Sequence, residues 1–209
     1  MRNFIRLFTV LAIPAIAACS QTEQPEMTPG KISIEPVITK ATEVDFETGD
    51  RIGLTIAKTN AAEKYADNAC LTYDGTVFSG DLLWYADAYS EADVYAYYPY
   101  DEVNPDTYAV FEDQTGGISQ ADFMAASKKG VLPTPNAVTM VFRHMMTKLV
   151  VNVENLSGAE ITGLEIAGGK RITGINLMDM TLTEDFDGGI PDSVQQVKAY
   201  EAQAGRQWQ

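Results

Sequence analysis

The feature that most restricts what this chain can fold into is the segment Lys31 to Leu54, KISIEPVITKATEVDFETGDRIGL, in which two alternating apolar runs flank a polar loop. In the first run Ile32, Ile34 and Ile38 share one face while Ser33, Glu35 and Thr39 share the other, the two-residue period of a strand that buries one side. Proline donates no ladder hydrogen bond. Pro36 inside this run therefore predicts a strand at a sheet edge or only partly paired, and hence the strand most easily detached. The second run, Arg51 to Ile56, is expected to bury Ile52, Leu54 and Ile56, with Glu47, Thr48, Gly49 and Asp50 supplying the turn before it. Between the runs the loop offers one basic residue, Lys40.

Beyond Ile56 short apolar runs alternate with turn clusters: Leu71 to Tyr73, Val77 to Phe78, Leu82 to Tyr85, Val94 to Tyr100, Tyr108 to Phe111, Val138 to Phe142 and Leu149 to Val153. This spacing predicts an all-β fold. Asp74-Gly75 reads as a type I′ hairpin turn, because both residues tolerate positive φ. Only Tyr89 to Ala92 and Ala121 to Ser127 have the composition for a helical turn or two. Trp84, Tyr85, Tyr89, Tyr95, Tyr97, Tyr98 and Tyr100 lie close together. Such a cluster is either a glycan platform or sheet core, and the general preference of aromatics for strands favours core.

A second pattern starts at Asn152, with apolar Val153, Ile161, Leu164, Ile166, Ile172 and Ile175 and glycine-rich turns at Gly168-Gly169 and Gly188-Gly189. Residues 154–209 are too few for a closed sandwich, which takes about 100. They are expected to be an incomplete C-terminal β domain of a partial chain, next to a complete domain over residues 31–153.

At the other end Arg2 and Arg6 precede an apolar stretch, Leu7 to Ala18, that closes with Ile16-Ala17-Ala18-Cys19. This resembles a bacterial lipoprotein signal peptide over residues 1–18, with Cys19 as the lipidated residue. Residues 19–30 then form a polar tether, reaching about 35 Å when extended. Removing the leader leaves 13 basic against 29 acidic residues, a charge of −16. So acidic a surface repels phosphate, which excludes nucleic acid as a partner and leaves membrane residence to the lipid. Cys70, the remaining thiol, has no intrachain partner and is expected to be a buried apolar residue.

Catalytic chemistry finds little to build on. His144 is the only histidine, and no nucleophile elbow, phosphate loop or paired-cysteine motif accompanies it. It reads as a hydrogen-bonded structural residue, with ligand binding as the rival role. Asp185-Phe186-Asp187-Gly188-Gly189 invites calcium, but an EF-hand loop places an oxygen ligand, glycine and glutamate where this chain has Gly189, Ile190 and Gln196. Neither a metal nor a cofactor is expected.

The lipobox, ITKATEVDFETGDRIGL, VYAYYPY, DFMAAS and FRHMMTKLVVNV follow one another in an order that resembles the fimbrillin-like proteins of Bacteroides-type bacteria. The resemblance implies tandem transthyretin-like β-sandwiches in an outer-membrane lipoprotein at the cell surface that polymerises into fimbriae with other subunits. It also implies proteolysis in the loop after the first strand, normally behind arginine, after which a donor strand from the next subunit fills the emptied groove. Here the matching position is Lys40, and the exchangeable strand carries Ile32, Ile34 and Ile38. The expected function is thus a structural subunit or minor tip component of surface fimbriae, without enzymatic activity. The alternative is a stand-alone surface lipoprotein that binds a host or bacterial glycan or protein.

Overall fold

The computed structural model describes residues 29–39, 45–59, 64–102, 112–118, 121–167, 171–185, 196–204 and 206–209. Cys19, Lys40, the Tyr108 to Phe111 run and residues 186–189 lie outside the described residues.

Seven strands form the main body: β1 (Lys31–Ile38), β2 (Arg51–Lys58), β3 (Lys64–Tyr73), β4 (Phe78–Leu83), β5 (Ala92–Tyr98), β6 (Met124–Val131) and β7 (Val138–His144). They close in the order β1-β4-β3-β2-β5-β6-β7, with β7 returning to β1. The closure is uneven. Only Thr72–Ser79 and Tyr73–Phe78 pair between β3 and β4, and only Met124–His144 and Ala125–Arg143 between β6 and β7. These two short ladders act as corners that flatten the barrel into a three-stranded layer, β4-β1-β7, facing a four-stranded layer, β3-β2-β5-β6.

The core between the layers follows the alternation. Ile32 and Ile34 of β1, Ile52, Leu54 and Ile56 of β2, and Phe142 of β7 are fully buried. β5 is apolar on both sides because both sides are covered. Val94, Ala96 and Tyr98 face the interior. Tyr95 and Tyr97 point the other way and join a second apolar cluster with Phe123, Ala125, Ile175 and Leu177. That cluster exists because a hairpin, β10 (Arg171–Asn176) and β11 (Thr181–Asp185), lies against the outer face of the four-stranded layer. Tyr97 stacks on Phe123 with centroids 5.8 Å apart. Its ring crosses β2 so closely that a Cβ at Gly53 would sit 2.1 Å from it, which explains a glycine in the middle of a buried strand.

Further small sheets follow β8 (Val151–Asn152): β9 (Glu165–Ala167) pairs β12 (Gln196–Lys198), while β13 (Glu201–Gln203) and β14 (Gln207–Trp208) pair in a sheet with β8. No described residue is helical.

Several expectations change. Ala121 to Ser127 is not a helical turn, since from Met124 onward it is β6, whose Ala125 packs in the cluster beneath the hairpin while Met124 and Ala126 face the interior. Ala92 opens β5 rather than closing a helix. Asp74-Gly75 is not a type I′ turn, because only Gly75 has positive φ, at 103°. The Asp74 side chain instead accepts the Thr76 and Val77 backbone N–H groups at 2.7 and 2.9 Å, a local substitute for the turn backbone. Those bonds hold its carboxyl below the usual range. Cys70 is exposed, since the register of β3 turns the neighbouring Leu71 inward. The Leu149 to Val153 run supplies only the two-residue β8.

Candidate functional site

β1 is not an edge strand: it is the centre of the three-stranded layer. Its first half pairs antiparallel with β4, from Lys31–Leu83 to Ile34–Phe78, and its second half runs parallel to β7, from Ile34–Val138 to Ile38–Phe142. The partly paired reading of Pro36 survives in this form. Thr39 N–H donates to the Phe142 carbonyl at 3.1 Å, so by alternation the odd residues of β1 turn their N–H groups toward β7 and the even ones turn away. Pro36 therefore presents its missing N–H to the side where the β4 ladder has already ended, and no bond is lost.

The inward face is as the alternation requires. Ile32 and Ile34 are fully buried, and Ile38 is half-buried against the same core. Val37, on the outward face, is 44% exposed. Bonds at both ends lace the strand in place. Trp84 N–H donates to the Gly30 carbonyl at 2.9 Å, and the Thr39 hydroxyl donates to the Phe142 carbonyl at 3.2 Å. Midway the Thr139 hydroxyl donates to Glu35 at 2.9 Å. The Lys31–Asp81 pair at 3.3 Å is solvent-exposed and adds little.

The loop after β1 returns to the core at Phe46, a residue the sequence reading passed over. Its ring packs edge-on against Phe78, Tyr98 and Phe142 with centroids 4.9, 5.2 and 5.2 Å away. The signal was available: an aromatic residue beside a polar turn, at a position with no strand of its own. The turn that follows is closed by Asp50 N–H on the Glu47 carbonyl and Glu47 N–H on the Asp50 carboxylate, at 2.9 and 2.8 Å. The chain is thus pinned on both sides of the stretch that contains Lys40. Withdrawing β1 would leave β4 and β7 facing each other across an apolar cleft, with backbone groups unpaired on both walls.

The other singled-out residues fall elsewhere. Trp84, Tyr85, Tyr95 and Tyr97 are buried, so these aromatics are core, and Tyr89 alone of the cluster is largely exposed, at 59%. Burial pushes the Tyr97 and Tyr98 hydroxyls up to about 12. His144 Nδ1 lies 2.6 Å from the Asp122 carboxylate. The pair ties the end of β7 to the approach to β6, on the wall of a cavity of about 660 Å³ that is also lined by Met146, Leu149, Ile166 and Val197.

Residues 39–205 match a family described as fimbrillin-like. The chain is 26% identical over 184 residues to a Bacteroides uniformis protein named "Putative fimbrium subunit Fim1C", covering 80% of this chain and 60% of that protein's length. Among solved structures, a "putative cell adhesion protein" from Bacteroides uniformis superposes with a TM-score of 0.62 at 21% identity, covering 86% of this chain and 72% of that one. A protein of the same description from Bacteroides ovatus also gives 0.62 at 21% identity, covering 87% and 77%. At these identities the likeness is one of fold.

Proposed function

The chain belongs to the fimbrillin-like family, and from that premise we propose that it is a structural subunit or minor tip component of surface fimbriae, assembled by exchange of β1 for a donor strand of another subunit. The observation that carries this reading is the central place of β1. Removing an edge strand merely shortens a sheet, whereas removing a central one leaves a cleft with two hydrogen-bonding walls and an apolar floor, which an extended segment can fill. In this reading the domain over residues 31–153 is a transthyretin-like sandwich, and residues 154–209 open a second one. Cys19 carries the lipid that holds the exported protein at the outer membrane until assembly.

Lys40 is the point of release in this scheme. It follows Thr39 directly, at the end of the strand that must leave, and the Phe46 anchor keeps the rest of the loop with the body after a cut. Lysine in place of arginine calls for a lysine- or trypsin-like cut. Cells expressing the protein should show polymer ladders on an unboiled denaturing gel, and Lys40→Gln should abolish them. Ladders that persist at full strength in Lys40→Gln would remove Lys40 from the mechanism, and a single monomer band in the wild type would remove polymerisation itself. In this reading the protein takes no cofactor.

A further inference from the structure

The corner between β6 and β7 leaves a second place where backbone is open. After Met124–His144 and Ala125–Arg143 the ladder stops, and a recess of about 500 Å³ opens between the strands, lined by Ser127, Lys128, Thr139, Val141, Arg143 and Met180. The facing edge of β7 follows from its other side. Phe142 turns its carbonyl toward β1, where Thr39 donates to it, so Thr139 and Val141 turn their backbone groups into the recess. An independent contact agrees: Lys128 Nζ donates to the Thr139 carbonyl at 3.1 Å. An ammonium group stands where the N–H of a neighbouring strand would be.

The rim has its own chemistry. Lys128 and Arg143 are both exposed, and among the described residues neither forms an ion pair. In a chain of net charge −14 two unpaired cations beside an open strand edge stand out from the acidic surface around them. Val141, 44% exposed, adds an apolar surface between them. The one carboxylate of β1 near this edge, Glu35, already accepts the Thr139 hydroxyl.

We propose that this recess accepts an acidic, extended polypeptide segment of a partner protein, added as a strand on the free edge of β7 at Thr139 and Val141 with its carboxylates toward Lys128 and Arg143. The segment's N–H takes over the Thr139 carbonyl, which frees the Lys128 ammonium to meet a carboxylate. Main-chain bonds supply the register and charge supplies the selection. A second copy of this chain is the poorer occupant, because two bodies of like net charge repel. The site is independent of strand exchange, since it lies on the edge of β7 away from β1 and is open in the uncut chain.

The test uses the uncut, full chain and a fluorescein-labelled octapeptide alternating Glu with Val, beside a version with Lys for Glu and one with a central Val replaced by Pro. The Glu peptide should bind, weaken as salt is raised, and slow hydrogen exchange at the Val141 amide. Lys128→Glu and Arg143→Glu change exposed side chains, so the unfolding midpoint should hold while affinity falls about tenfold for each, the loss of about 1.4 kcal/mol. The Pro peptide should fail, because it removes a ladder donor. Equal binding of the Lys peptide, equal binding of the Pro peptide, no binding of the Glu peptide, or full affinity in the double variant would each overturn the proposal. Self-association of the chain that the double variant abolishes would make the occupant a second copy and overturn the assignment to a partner.

Discussion

The barrel of residues 31–144 and the small sheets after it solve the same problem with unequal means. In the barrel seven strands enclose one continuous core, in which β1 alone places two isoleucines out of contact with water. After residue 150 the described strands are two to six residues long and form separate sheets of two or three. Among the described residues of this region, the buried apolar side chains are those of Ile175, Leu177, Ala199 and Trp208. Ile175 and Leu177 owe their cover to Tyr95, Tyr97 and Phe123 of the barrel. The difference teaches where a strand can be given up. Only a body with a large shared core keeps its shape after losing one strand, and only a central strand leaves a cleft behind it.

Two tryptophans, each 1% exposed, put that contrast to its hardest test. Trp84 belongs to the barrel core and Trp208 to the sheet of β8, β13 and β14. Trp84→Ala should cost about 3–5 kcal/mol in chemical denaturation. Trp208→Ala should leave the barrel's unfolding midpoint nearly unchanged and raise hydrogen exchange only in its own sheet. Similar global losses would mean that the two regions unfold as one unit. A milder version uses Trp84→Phe. Trp84 Nε1 is buried and has no hydrogen-bond partner among the described residues, so deleting that donor recovers part of the cost of burying it. Trp84→Phe should therefore lose much less stability than Trp84→Ala.

Limited proteolysis sharpens the comparison from the other side. Residues 196–209 should be cut first, the β10–β11 hairpin later because the second cluster holds it, and the barrel last. A hairpin released as early as the terminal sheet would mean that its contact with Tyr97 and Phe123 adds no protection.

The smallest expected effect is one of pH. Tyr97 and Tyr98 have hydroxyls raised to about 12, burial being the leading cause for both. A phenol held neutral in the fold contributes stability that is complete below its ordinary value near 10 and lost as pH climbs toward about 12. Burial also raises the Tyr85 and Tyr95 hydroxyls, so the barrel should weaken across that window, and Tyr98→Phe, which removes one of these groups, should flatten the decline in part. An unchanged slope in Tyr98→Phe would place the alkaline loss elsewhere.

How much of this was legible in the sequence depended on distance along the chain. The faces of β1 and β2 and the turn at Glu47 to Asp50 could be read because each is set by neighbours within a few residues. The companions of β1 could not, because β4 and β7 come from far along the chain. Pro36 argued for an edge, and the fold instead accommodates it by ending one ladder before the other. β6 was hidden by its alanines, whose local preference is helical and whose strand state is imposed by the packing on both faces. Cys70 illustrates a one-residue register: its neighbour Leu71 took the inward place. The open edge at Thr139 and Val141 has no local sequence signal at all, since it depends on where a ladder stops.

The measurement that bears most directly on the central claim is thermal unfolding of the purified, lipid-free chain before and after a single cut behind Lys40, with and without an added strand peptide from a longer member of the family. Loss of β1 exposes the partners of Ile32, Ile34 and Ile38, at about 1.5–3 kcal/mol for each large side chain. The cut form should melt at a clearly lower temperature once β1 is displaced, and the peptide should restore the midpoint. A cut that leaves the midpoint unchanged, or a lowered midpoint that no strand peptide restores, would contradict the account and leave β1 as a permanent member of its sheet.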